Sequence, residues 1–119
     1  MSKQVMVIVS WTIQDGKLEA FQAIVREMVE SIRKEPDTLG FEWYMSGDGK
    51  RCQLVETYAD ADALLSHING PALQEGEPRL MAMASVSGVQ VYGEPGPKGR
   101  EFMAPFGAEI FSHTLGLNR

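Results

Sequence analysis

The sequence predicts an α+β domain in the order β-α-β-β-α-β, with two helices covering one face of a four-stranded antiparallel sheet. Three observations carry this expectation. Segments near both ends and in the middle are rich in β-branched and aromatic residues, residues 18–32 repeat their apolar positions at helical spacing, and Gly, Asp, Asn and Pro clusters separate the segments. That element order is the signature of a split βαβ, ferredoxin-like unit.

Val5, Val7, Val9, Trp11 and Ile13 share one parity and Met6 and Ile8 the other, so the first strand is apolar on both faces. Asp15-Gly16-Lys17 turns the chain, and Asp15 is the expected N-cap of the helix that follows. Leu18, Phe21, Ile24, Val25, Met28, Val29 and Ile32 form its apolar stripe, and Pro36 ends it by disfavouring helical geometry at Glu35. Residues 40–45 and 52–58 read as a hairpin closed by Ser46-Gly47-Asp48-Gly49. Asp60 caps a short helix from Ala61 to Ile68, stopped by Asn69-Gly70-Pro71. Pro71 to Met83 has room for a further turn or two of helix that Gly76 and Pro78 interrupt, and Ser85 to Tyr92 is the last strand. The core unit is thus residues 1–93. Residues 94–119 are a C-terminal extension whose Phe102, Met103, Phe106, Ile110, Phe111, Leu115 and Leu117 are too apolar to stay solvated, so it is expected to pack on the core or on a partner.

A sheet with helices on one side leaves its other face open, yet the first strand carries apolar residues toward both. Sheet-to-sheet association of two copies is the simplest cover, and a homodimer with isologous contacts is expected. The C-terminal extension is the competing cover.

The chain has 119 residues with 11 basic and 16 acidic side chains, a formal charge of −5, and one cysteine. That suits a single core that needs no internal disulfide. A pI near 5.0 repels phosphate backbones and anionic lipid, so neither nucleic acid nor membrane is an expected partner. No apolar run approaches a membrane span, and Met1-Ser2-Lys3-Gln4-Val5 lacks the basic head and apolar stretch of a secretory signal. A cytoplasmic location is the expectation. His67, His113 and Cys52 have no metal-ligand spacing, and no CxxC, HExxH, GxSxG or phosphate-loop pattern occurs.

Pro36-Asp37-Thr38-Leu39-Gly40-Phe41-Glu42-Trp43-Tyr44, then Leu54-Val55-Glu56-Thr57-Tyr58, then Asp60-Ala61-Asp62-Ala63-Leu64-Leu65-Ser66-His67 resembles the antibiotic biosynthesis monooxygenase (ABM) family, which includes quinol monooxygenases and haem-degrading monooxygenases. The resemblance runs from Val5 to Tyr92 and implies a dimeric α/β barrel. It departs from the family in two places: the segment after His67, interrupted by Gly76 and Pro78, and the extension beyond Gly93.

The resemblance implies oxidation of a quinol or polycyclic phenol by dioxygen, with neither metal nor flavin. Such chemistry asks for a base, groups that stabilise an electron-rich anion, and an apolar pocket. His67 is the candidate catalytic base, its bland alternative being a helix histidine at the core edge. Trp11, Trp43, Tyr44, Asn69 and Arg79 are the candidate substrate contacts. Trp43 and Tyr44 point to opposite faces, so only one can reach a helix-side pocket. Core packing, turn formation and a surface charge are the ordinary roles of the aromatics, of Asn69 and of Arg79. Glu56, in an otherwise apolar strand, reads first as half of a structural pair at the dimer interface and second as a base. Haem degradation, with His67 as iron ligand and Ser10 beside the haem, is one alternative; a non-catalytic small-molecule binder is the other.

Overall fold

The computed structural model describes residues 3–119; the first two residues of the segment read above for a secretory signal lie outside it. Strand β1 (Val5–Ile13) leads to helix α1 (Leu18–Ile32), and β2 (Thr38–Met45) and β3 (Arg51–Tyr58) form the hairpin. Helices α2 (Ala61–Ile68) and α3 (Pro71–Met81) follow, then β4 (Ala84–Tyr92), α4 (Gly96–Met103), a short 3₁₀ turn at Ala104–Phe106 and β5 (Glu109–Phe111). The fold is the expected ferredoxin-like α+β arrangement, with five strands rather than four, ordered β2-β3-β1-β4-β5. All pairs are antiparallel except β4–β5, which is parallel. Among the described residues no helix is long and apolar enough to cross a membrane.

Alternation decides which side chains meet the helices. Val5, Val7, Trp11 and Ile13 of β1 are buried with Cys52, Leu54, Glu56 and Tyr58 of β3 and with Phe21, Ile24, Met28 and Ile32 of α1. In β4 this parity breaks, because Val86 packs on the same core as Val89 and Val91. The register supplies the reason: Ser10 pairs with Gly88 but Trp11 with Val86, so a bulge adds one residue and returns Val86 to the helix side.

Three local expectations need correction. Asp15 does not cap α1; the helix begins after Lys17 with no side-chain cap, because the Asp15-Gly16 turn takes up extra chain. The segment after His67 is a continuous eleven-residue helix, α3, not an interrupted one. Pro71 stands at its start, where the missing N–H costs nothing, and Pro78 lies inside it. Gly76 is there for contact: a Cβ on it would lie 2.5 Å from Met28 Cγ and 2.6 Å from its sulfur, so the missing side chain is what lets α3 press against α1. Finally, the extension is covered only in part: residues 96–111 pack on the chain's own core, whereas Leu115 and Leu117 are exposed. Gly99 abuts Leu64, Met103 is buried, and Phe102, Phe106 and Ile110 join the same cluster.

Candidate functional site

Between the helices and the sheet lies a cavity of about 70 Å³. Val7, Val9 and Leu54 floor it, Trp11, Phe41 and Trp43 wall one side, Leu64, Leu73 and Leu80 come from the helices, and Phe102, Met103 and Phe106 come from the C-terminal extension. Three titratable groups interrupt this apolar lining: Glu56, His67 and Glu77.

Asp60 builds the His67 end. Its carboxylate accepts the Ala63 N–H at 2.8 Å and fixes the start of α2, so that Ala63, Leu64, His67 and Ile68 face inward. His67 is 3% exposed and wedged between carboxyl groups. Its Nδ1 lies 2.9 Å from Glu35 Oε1, and its Nε2 lies 3.5 Å from Glu56 Oε1. Thr38 Oγ1 donates to the same Glu35 oxygen at 2.9 Å. With Glu35 accepting the Nδ1 proton, neutral His67 presents a bare Nε2 toward Glu56. Tyr58 O–H donates a hydrogen bond to Glu56 Oε1. The rings of Phe41 and Tyr58 flank the imidazole at 5.7 and 5.4 Å.

Burial pushes Glu56 up to about 7, against the lowering effect of the Tyr58 hydrogen bond, and repulsion from Glu77 and Glu35 adds to the rise. Burial also lowers the His67 pKa, opposed by the charge and hydrogen bond of Glu35. Glu77 is raised by burial alone, and Tyr58 is held well above the ordinary tyrosine value by burial and by Glu56. Near neutral pH Glu56 is thus poised to gain or lose a proton beside an imidazole whose burial favours the neutral form.

Of the residues singled out in the sequence, His67, Trp11 and Trp43 line this cavity together. Tyr44 is 61% exposed on the opposite face of the sheet, as strand alternation from Trp43 requires. Asn69 is exposed, and its backbone N–H closes α2 on Leu65 and His67. Arg79 is on the outside, held by Glu27 through bonds of 3.1 and 2.9 Å. Glu56 is not at the open face: it points to the helices, where its partners Tyr58 and His67 belong to the same chain. Glu35 and Glu77 were not anticipated. Glu77 falls in line with Leu73 and Leu80 on α3, a carboxylate in an apolar stripe that becomes visible only once the helix is continuous.

The haem alternative does not fit these residues. Ser10 receives a hydrogen bond from Gln53 and borders the surface cleft on the far side of the sheet, away from His67, whose two nitrogens already face carboxyl groups. Among the described residues no group of three or more His, Cys, Asp or Glu is placed to hold a metal ion.

A five-stranded ferredoxin-like sheet with an acid–base cluster in an apolar helix-side cavity defines the class, and sequence comparison supplies the family. The profile of the antibiotic biosynthesis monooxygenase family matches residues 4–79, and the chain belongs to that family. The chain is similar in structure to MupZ from Pseudomonas fluorescens, at 24% identity and a TM-score of 0.85 over 99% of this chain and 96% of that one. It also resembles a putative antibiotic biosynthesis monooxygenase from Nitrosomonas europaea (20% identity, TM-score 0.68, 82% and 95% of the two chains). SnoaB from Streptomyces nogalater, described as a cofactor-independent oxygenase, matches at 13% identity with a TM-score of 0.69, over 78% and 94% of the chains. No curated protein matches the sequence.

Proposed function

We propose that this protein is a monooxygenase that oxidises a small phenol or quinol with dioxygen, using neither metal nor flavin. The observation that carries the reading is the buried Glu35–His67–Glu56–Tyr58 cluster opening on an apolar cavity. Glu35 orients His67, and the His67–Glu56 pair takes the substrate proton. The electron-rich anion left behind gives an electron to dioxygen; one oxygen atom enters the ring and the other leaves as water, so a phenol with a free para position yields a quinone plus water without an added reductant. Membership of the family and the shared fold of SnoaB support the reading.

The cavity sets the size of the substrate. A cavity that takes up benzene measures about 150 Å³, so the 70 Å³ here admits a single ring only with some displacement of its walls. The functional unit is proposed to be a homodimer joined through the open sheet face, where Met6, Tyr44, Tyr92 and Phe111 are all exposed.

Oxygen consumption by metal-free protein over a panel of quinols and phenols tests this function, with substrate autoxidation subtracted. Uptake above background that falls by about 10²- to 10⁴-fold in His67→Ala is expected for loss of a positioned base. Binding of the same compounds without uptake overturns the oxygenase reading in favour of a small-molecule binder.

A further inference from the structure

The walls of the cavity are not held with equal firmness. The floor strands are joined by their backbone ladders, and α3 is tied to α1 by the Arg79–Glu27 pair and to the end of α2 by Gln74 Nε2, which donates to Ile68 O at 2.7 Å. His67 and Glu35 tie α2 to the chain just beyond α1. Residues 94–107, which bring Phe102, Met103 and Phe106 to the cavity, have no such tie. Among the described residues, the hydrogen bonds and ion pairs of this segment stay inside it. Glu94 accepts from Gly96 N–H at 3.0 Å and from Arg100 at 3.2 and 2.7 Å, and Gly107 N–H donates to Ala104 O at 3.0 Å. Toward the body it makes apolar contacts: Pro95 and Met103 are buried, Phe102 and Phe106 are half-buried, and Gly99 lies against Leu64.

Those internal bonds make the segment one stiff piece, and its ends give it pivots. Gly93 at φ +101° and Gly107 at φ +71° both occupy the left-handed region, where a residue without a Cβ moves among conformations closed to other residues. Beyond the pivots the chain is clamped, because Gly93 N–H donates to Phe111 O at 2.9 Å and β5 pairs with β4. The two ends therefore stay together whatever the middle does. A compact loop with joined ends, stiff within and attached by apolar contacts, is built to swing.

We propose that residues 94–107 are a lid over the cavity, hinged at Gly93 and Gly107, and that an aromatic ligand enters and leaves beneath Phe102 and Phe106. The inference rests on the reading of this cavity as the substrate site and adds how that site is reached. At about 70 Å³ the closed cavity is under half of the ~150 Å³ that houses benzene, so some wall has to yield. This wall yields without breaking a hydrogen bond or ion pair to the rest of the chain. When it closes again, its three side chains shut water out from His67 and Glu56.

Amide hydrogen exchange on the unaltered chain is the first test. The amides of α4 should exchange about 10-fold or more faster than those of α2 and α3, because they open locally; equal protection of the three helices overturns the lid. Gly96 and Ala61 supply a lock. A Cβ on Gly96 would lie 3.4 Å from Ala61 Cβ, near the roughly 3.5–4.5 Å that a disulfide spans, and neither residue lines the cavity. Ala61→Cys combined with Gly96→Cys, once oxidised, should slow association of phenol and of two-ring naphthol by about 10-fold or more, and reduction should restore it. Stopped-flow fluorescence of Trp11 and Trp43, which line the cavity, gives the rate. Equal rates in the oxidised and reduced forms overturn the lid, and where neither probe binds or the double variant does not fold, exchange in the wild-type chain decides. Oxygen uptake separates the two ideas: gated binding without uptake keeps the lid and removes the oxygenase, and uptake as fast in the locked form as in the reduced one removes the lid alone.

Discussion

Burial sets the charge of Glu56, and its consequences run in two directions. Its pKa is raised from an ordinary 4.5 to about 7, so the folded chain holds the proton more tightly than the unfolded one. Stability from this group is complete below pH 4.5 and is lost as pH rises through about 7, an effect of roughly 3 kcal/mol if the unfolded carboxyl is unperturbed. His67, lowered chiefly by burial, works in the opposite sense: its contribution is present above 6.5 and fades as pH falls. Glu56→Gln keeps an acceptor for Tyr58 and cannot ionise. Urea unfolding at pH 5 and pH 8 should show the wild type losing stability across that interval by more than the variant does. The same substitution should erase a limb near pH 7 from the kcat/KM profile, if proton uptake by the pair limits turnover.

The α1–α3 contact shows how an element can be misread from its composition. Gly76 and Pro78 both lower intrinsic helicity, and on propensity alone the segment breaks. Tertiary packing overrides this because Met28 occupies the space where a Gly76 side chain would be. Gly76→Ala gains about 1 kcal/mol of helix propensity, yet overpacking against Met28 costs about 1–3 kcal/mol. A net loss, read as a lower urea midpoint at unchanged m-value, is expected. Replacing Met28 with Ala in the same chain should remove much of the clash, whereas a Gly76→Ala variant more stable than wild type would show that α3 has slack. The strands and α1 were legible because their apolar periods are clean, whereas His67, Trp11 and Trp43 stood out only through what the family resemblance implies. Glu35 was hidden because it lies beyond the end of α1, and its meeting with His67 spans 32 positions that no local pattern connects. Glu77 was hidden behind the supposed break in α3, and Glu56 was assigned to the wrong face because a charge among apolar residues looks the same from either side.

For the whole molecule, the open face of the sheet is the main unfinished surface. Met6, Tyr44 and Tyr92 stand on it, and Phe111 stacks on Tyr92 with centroids 5.4 Å apart, widening the patch toward the added strand. Exposed large aromatics grouped this way usually mark a contact. Light scattering after size-exclusion chromatography should give twice the chain mass at micromolar concentration, and Tyr44→Glu should shift the population toward one chain. A monomeric wild type would end the dimer proposal. The added strand also explains why the extension stays with its own chain: Gly93 at φ +101° bends tightly past Gln4, and its N–H bonds Phe111 O at 2.9 Å, tying β5 back to the end of β4.

That parallel strand has a bearing on how the molecule resists polymerisation. An antiparallel sheet has two rims of unpaired amides, each able to recruit another chain into a growing ribbon. Here β5 occupies part of the β4 rim, and on the other side β2 carries an irregularity at Leu39, where Thr38 faces Tyr58 but Gly40 faces Thr57. With one rim partly capped and the start of the other out of register, lateral ribbon growth has poorer templates at both edges.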